Sequence, residues 1–135
     1  MAYRIYSDGA SKGNPGPAGI GAIILDPKGK PAQRIAEYIG VTTNNVAEYQ
    51  ALIEALKVCA ERKWSPVEVF CDSELLIRQL TGQYKVKHPN IIPLHAEAKQ
   101  LLAKIGCESL QHIPREQNKE ADRLSNVGVD KGRGF

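Results

Sequence analysis

Apolar and polar residues alternate through positions 2–7, the period of a strand with one buried face, and a second apolar run, AGIGAIIL, covers 18–25. Pro27-Lys28-Gly29-Lys30 has the composition of a hairpin turn and leads into a third strand over 32–40, which predicts an antiparallel three-stranded meander. The pattern then changes to a helical period. In NNVAEYQALIEALKVCAER, residues 44–62, apolar side chains fall at 46, 49, 52, 53, 56, 59 and 60, with Gln50, Glu54, Lys57 and Glu61 on the wet face and Asn44 or Asn45 at hand as N-cap. After Pro66 a fourth strand, VEVFC at 67–71, ends at Asp72 and runs straight into a helical SELLIRQL. Pro89 and Pro93 flank the start of a further helix over 91–103, Gly106 stops it, and a fifth strand follows at 107–113, closed by Pro114. A last helix is predicted over 117–128, with a loose tail after it.

This alternation of strands and helices is that of an α/β protein, and 135 residues suffice for one domain with a substantial core. The composition, 42% hydrophobic and 24% charged, is that of an ordinary globular chain, and no apolar run approaches the roughly 18 residues of a membrane span. The N-terminal MAYRIYSDG has no charged start followed by a long apolar stretch, so the expected location is the cytoplasm. Cys59, Cys71 and Cys107 form no metal-ligand spacing and are expected to be small buried apolar residues. A net charge of +3 permits a polyanionic partner without requiring one.

Four acids change the picture. Asp8 is expected to end the first strand and Asp72 the fourth; if those strands lie parallel and adjacent, as a right-handed crossover would place them, both carboxylates emerge at one sheet edge. Helical steps from Glu48 reach Leu52, Ala55 and Cys59, which puts it on the core stripe, and Asp122 lies at the margin of the inward stripe of the last helix. Taken singly each has an ordinary reading. Asp8 suits a turn, Asp72 with Ser73 suits a helix cap, Glu48 is favoured by the helix dipole, and Asp122 suits a half-exposed position. Taken together, clustered acids without matching bases raise one another's pKa unless a cation sits among them, and an all-oxygen site suits Mg²⁺ or Mn²⁺.

The segments YSDGASKGNPGPAG with Asp8, TTNNVAEYQALIEAL with Glu48, VFCDSELLIRQL with Asp72 and REQNKEADRLSN with Asp122 resemble, in order and over nearly the whole chain, type 1 ribonuclease H, above all its short archaeal and bacterial form. The resemblance implies a ribonuclease H-like fold: a five-stranded mixed sheet, three antiparallel strands then two parallel, with helices on both faces. It implies a catalytic domain over 1–129, with 130–135 expected as a flexible tail. It further implies hydrolysis of the RNA strand of RNA/DNA hybrids using two divalent cations, Mg²⁺ or Mn²⁺, and leaving 5′-phosphate and 3′-hydroxyl ends; a monomer is the default expectation. Asp8, Glu48, Asp72 and Asp122 would be both the metal ligands and the catalytic residues. Gly13, Asn14 and Gly16 match the part that meets the RNA strand, Thr43 a contact to a DNA phosphate, and Asn44 and Asn45 contacts near the bases.

Two departures stand out. Relatives carry a loop His between the fifth strand and the last helix; here that loop is PREQNKEAD, His112 falls inside the predicted strand, and Arg115 or Glu116 is expected in the loop residue's place, assisting catalysis or product release. Larger relatives insert a basic helix where this chain has TGQYKVKHPNII, with only Lys85, Lys87 and His88. Among rival functions, a DNA-cutting nuclease on the same fold would usually carry an added DNA-binding domain, a phosphoacceptor domain would want an acidic pair after strand one and a Lys after strand five, and an inactive hybrid-binding module would be expected to have lost an acid. No Ser, Cys or Thr is paired with a base for covalent catalysis, and His88, His95 and His112 have no metal spacing.

Overall fold

A computed structural model describes residues 1–132. Strands β1 (Tyr3–Ser11), β2 (Gly16–Leu25) and β3 (Pro31–Thr42) form the meander, and helix α1 (Asn44–Arg62) crosses to β4 (Val67–Cys71). Helices α2 (Glu74–Leu80) and α3 (Ile92–Ile105) precede β5 (Cys107–His112), and helix α4 (Lys119–Gly132) follows a single 3₁₀ turn over Arg115–Gln117. The sheet order is β3-β2-β1-β4-β5, with β1 antiparallel to β2, β2 antiparallel to β3, and β4 parallel to both β1 and β5.

The hydrophobic pattern explains which helix covers which face. Ile5, Ile20, Ala22, Ile24, Val67 and Val69 meet Leu52, Ile53 and Leu56 of α1, Leu76 and Leu80 of α2, and Ala98 and Leu102 of α3 in one buried core. On the opposite face α4 lies almost on the backbone of β2: a β-carbon at Gly21 would stand 2.2 Å from the Ser125 nitrogen, and one at Gly19 would stand 2.4 Å from the Ser125 carbonyl oxygen. The glycines of AGIGAIIL therefore bring α4, and Asp122 with it, close to the sheet.

Three expectations are corrected. Strand β1 does not end at Asp8 but runs on to Ser11, because Asp8 to Ser11 keep pairing with Gly21 to Ala18 of β2. The N-cap of α1 is Thr43, not Asn44 or Asn45: its Oγ1 accepts from Val46 N at 3.3 Å. The expected tail beginning at residue 130 is helix through Gly132, held by buried Val129 and by Lys131 Nζ donating to the Ala36 carbonyl; the remaining tail residues, 133–135, lie outside the described residues. Cys59 and Cys71 are buried as expected, whereas Cys107, at the edge strand β5, is only partly so.

Candidate active site

Two neighbouring strands and two helices meet at the site. In the parallel pairing of β1 with β4, Ser7 lies opposite Cys71, so the next residue on each strand, Asp8 and Asp72, leaves the register at the same level. Ser73 takes over the capping of α2, its Oγ accepting from Leu76 N at 3.2 Å. Asp72 is thereby left free of that duty. Glu48 enters from the first turns of α1, and one ligand oxygen each from Asp8, Glu48 and Asp72 lie within 4.8 Å of one another. Asp122, on α4, stands outside that tight group and lines, with Glu48 and Asp72, a cleft of about 530 Å³ beside buried Asp8.

The cluster is electrostatically uncomfortable. Burial, with the charges of Asp72 and Asp122 added, pushes the Asp8 carboxyl up to about 7 from its ordinary 3.8. Burial and the facing Asp8 hold Glu48 well above the usual carboxylate range. Asp72 is raised too, again by burial first, against the opposing pull of the Asn118 amide and the Arg115 guanidinium. Its Oδ2 is buried with no hydrogen-bond partner. Three crowded carboxylates, an orphaned oxygen and no ion pair to any of the four acids among the described residues fit a site for hard, oxygen-loving cations.

The substrate-contact residues expected from sequence fall into two groups. Asn44 and Asn45 line the acid cleft, while Asn14, Thr43 and Asn45 line a second cleft of about 250 Å³ beside it, together with His88 and Ile91. Asn14 Oδ1 accepts from Asn44 N at 3.1 Å, and Ser11 Oγ donates to the Thr42 carbonyl at 2.9 Å. The β1–β2 turn is thus stitched to the start of α1. Gly13 and Gly16 line neither cleft; Gly13 holds φ at +106° and Gly16 passes so close to Lys12 that a β-carbon there would meet its carbonyl oxygen at 2.1 Å. They shape the turn that carries Asn14.

Of the two loop candidates, Arg115 lines the acid cleft and Glu116 does not. His112 is exposed at the end of β5. His95 is structural, with Nε2 3.1 Å from the Gln79 carbonyl and its ring edge-on to Tyr49. Three polar residues at the site were not singled out from sequence. Lys12 and Asn126 face each other across the cleft, Nζ donating to Oδ1 at 3.1 Å, and Asn118 is buried behind the acids. Nothing local distinguishes them: a Lys in a turn and an Asn on or before a helix are ordinary surface residues until the chain is folded.

A family model described as reverse transcriptase-like matches residues 6–128. Ribonuclease HI of Halobacterium salinarum is 39% identical over 125 residues, covering 93% of this chain and 63% of that protein. A bifunctional protein of Mycobacterium tuberculosis is 38% identical over 131 residues, and there the match covers 96% of this chain but 36% of the relative's length. The chain thus spans less than two thirds of either relative. Among solved structures, RNase H1 of Halobacterium salinarum superposes with a TM-score of 0.92 at 37% identity, covering 97% of this chain and 99% of that one. LC11-RNase H1, solved in complex with an RNA/DNA hybrid, superposes with a TM-score of 0.89 at 45% identity, over 96% of this chain and 98% of that one.

Proposed function

The chain belongs to the type 1 ribonuclease H family, in its short archaeal and bacterial form, and on that premise we propose that it is an endoribonuclease that hydrolyses the RNA strand of RNA/DNA hybrids, leaving 5′-phosphate and 3′-hydroxyl ends. The carrying observation is the convergence of Asp8, Glu48 and Asp72 within 4.8 Å at the edge of the sheet. The catalytic domain, expected over residues 1–129, is taken to run to the end of α4 at Gly132 and to act as a monomer.

Asp8, Glu48, Asp72 and Asp122 would hold two divalent cations, Mg²⁺ or Mn²⁺, which when bound supply an activated water and neutralise charge on the leaving oxygen. The rest of the work falls to the chain's own groups. Glu48 shares helix α1 and the cleft with Asn44 and Asn45, and the family resemblance assigns it to the side of the 2′-hydroxyl that distinguishes RNA from DNA. Thr43 uses its oxygen as an acceptor for Val46 N, so its hydroxyl hydrogen remains to be donated to a DNA phosphate in the second cleft, beside Asn14. Lys12 and Arg115 bring positive charge to a cleft that also holds Glu48, Asp72 and Asp122, where the scissile strand's phosphates would pass. Arg115 rather than Glu116 takes the part of the loop residue.

The test is cleavage of a hybrid labelled on the RNA strand, with Mg²⁺, with Mn²⁺ and with chelator, comparing the native chain with Asp8→Asn. Cation-dependent cutting that disappears in the variant is the expected result. A native chain that binds the hybrid and cuts it with neither cation would leave a binding module in place of a nuclease.

A further inference from the structure

Asn118 is 2% exposed, buried behind the acid cluster where α4 begins. An Asn immediately before a helix ordinarily caps it, its side-chain oxygen accepting one of the first free N–H groups. Here the main chain keeps the helical bond, Asp122 N donating to the Asn118 carbonyl at 3.1 Å, but Oδ1 is buried with no partner at all. The amide is instead turned round. Its Nδ2 donates to the Ser7 carbonyl at 2.9 Å, and the same amide lies beside the Asp72 carboxylate and favours its charged form. Leaving a buried acceptor unsatisfied is destabilising, so capping cannot explain this orientation.

We propose that Asn118 is a positioning residue, whose amide locks the three segments that carry Asp8, Asp72 and Asp122 into one spacing. The inference rests on the nuclease reading above. Ser7 precedes Asp8 and lies opposite Cys71, which precedes Asp72, so an amide anchored on the Ser7 carbonyl sits where both acids leave the sheet. Asp122 is one helical turn beyond Asn118 and is bonded back to it, so the same anchor sets the start of α4. Asn118 does not line the acid cleft but a separate one of about 240 Å³, beside Tyr6 and Gln117. Groups that stand behind metal ligands in this way typically change ion affinity or activity about 10- to 100-fold when removed.

The decisive variant is Asn118→Ser in the full chain. Serine caps a helix as well as asparagine but is shorter and lacks the amide donor, so a role in capping alone predicts little change, and a role in packing alone predicts a lower melting temperature with native ion affinity and kcat. Three quantities are measured: the melting temperature, the affinity for Mn²⁺ alone by calorimetry without substrate, and kcat and KM separately on the hybrid. The expected result is a folded protein with Mn²⁺ affinity and kcat each about 10-fold lower and KM within about twofold of native. Native ion affinity and kcat would overturn the proposal. Should the Ser variant fail to fold, the isosteric Asn118→Asp replaces the donor with an acceptor facing the Ser7 carbonyl, and native ion affinity there would overturn it equally. Failure of both variants to fold would make Asn118 a folding residue and also overturn it. A native chain that binds Mn²⁺ but cuts no hybrid would instead remove the nuclease reading, and the calorimetric comparison would still decide the role of Asn118.

Discussion

Gly9 passes directly beneath Glu48: a β-carbon at position 9 would stand 2.4 Å from the Glu48 nitrogen and equally close to the Ala47 carbonyl carbon. Helix α1 can lie low enough on β1 for its carboxylate to meet Asp8 only because the residue after Asp8 has no side chain. Gly9→Ala must therefore lift α1 or bend β1. The expected loss of stability is about 1–3 kcal/mol, as for other overpacked contacts, with cleavage falling at least about tenfold because reacting groups tolerate little displacement. Urea unfolding alongside single-turnover cleavage measures both, and native activity in a destabilised Gly9→Ala would show that the height of α1 does not matter to the chemistry.

Asp122 lies outside the group of three acids whose ligand atoms fall within 4.8 Å of one another. The four acids should consequently not be equivalent toward ions in the absence of substrate. Calorimetric titration with Mn²⁺ should show Asp8→Asn losing the tightest binding, by about 10-fold or more, while Asp122→Asn keeps it and loses cleavage. Equal loss in the two variants would place all four acids around one ion.

The strands and helices were legible because their hydrophobic periods are clean, and the family resemblance was legible because four acid-bearing segments keep their order. What could not be read depended on partners distant in sequence. Alternation alone could not show that β1 continues past Asp8, since the pairing of Ser11 with Ala18 is decided by β2. Both asparagines and Thr43 could cap α1, and the choice fell to Thr43 while Asn14, thirty residues earlier, took the Asn44 N–H. The residues after 129 carry no apolar pattern of their own, yet the helix continues to Gly132, where its backbone packs close against the Tyr38 ring of β3. Asn118 was invisible for the same reason, its partner Ser7 lying 111 residues away.

Arg115 and Glu116 are adjacent in the 3₁₀ turn, but only Arg115 lines the acid cleft, where its charge acts on Asp72. Arg115→Ala should lower cleavage about 100-fold, the lower end of the range for lost charge stabilisation at a reacting centre, whereas Glu116→Ala should stay within about twofold. Steady-state cleavage of the hybrid by both variants separates them. A larger effect at Glu116 would mean that the turn presents its other face when substrate is bound.

The last expectation concerns pH and needs no substrate. Asp8 is raised from 3.8 to about 7, with Glu48 and Asp72 raised as well, all three by burial before any other cause. An acid whose pKa is higher in the folded chain retains its proton there after the unfolded chain has lost it. Folding is then favoured at low pH, and that stability is lost as pH rises from about 4 to about 7. Glu120, drawn down to about 2 by Arg123 and Arg34, acts in the opposite sense, but its window lies below its ordinary 4.5 and does not overlap the upper part of the first. In chelator the melting temperature should therefore fall between about pH 5 and about pH 7, and Mg²⁺ should restore it, most strongly at the higher pH where the ligands are charged. Asp8→Asn supplies the control, since removing one buried charge should flatten the fall in chelator and abolish much of the restoration by Mg²⁺. A native chain whose stability in chelator is constant or rises over that interval would mean that water or rearrangement already relieves the cluster, and the crowding of its carboxylates would no longer argue for a cation.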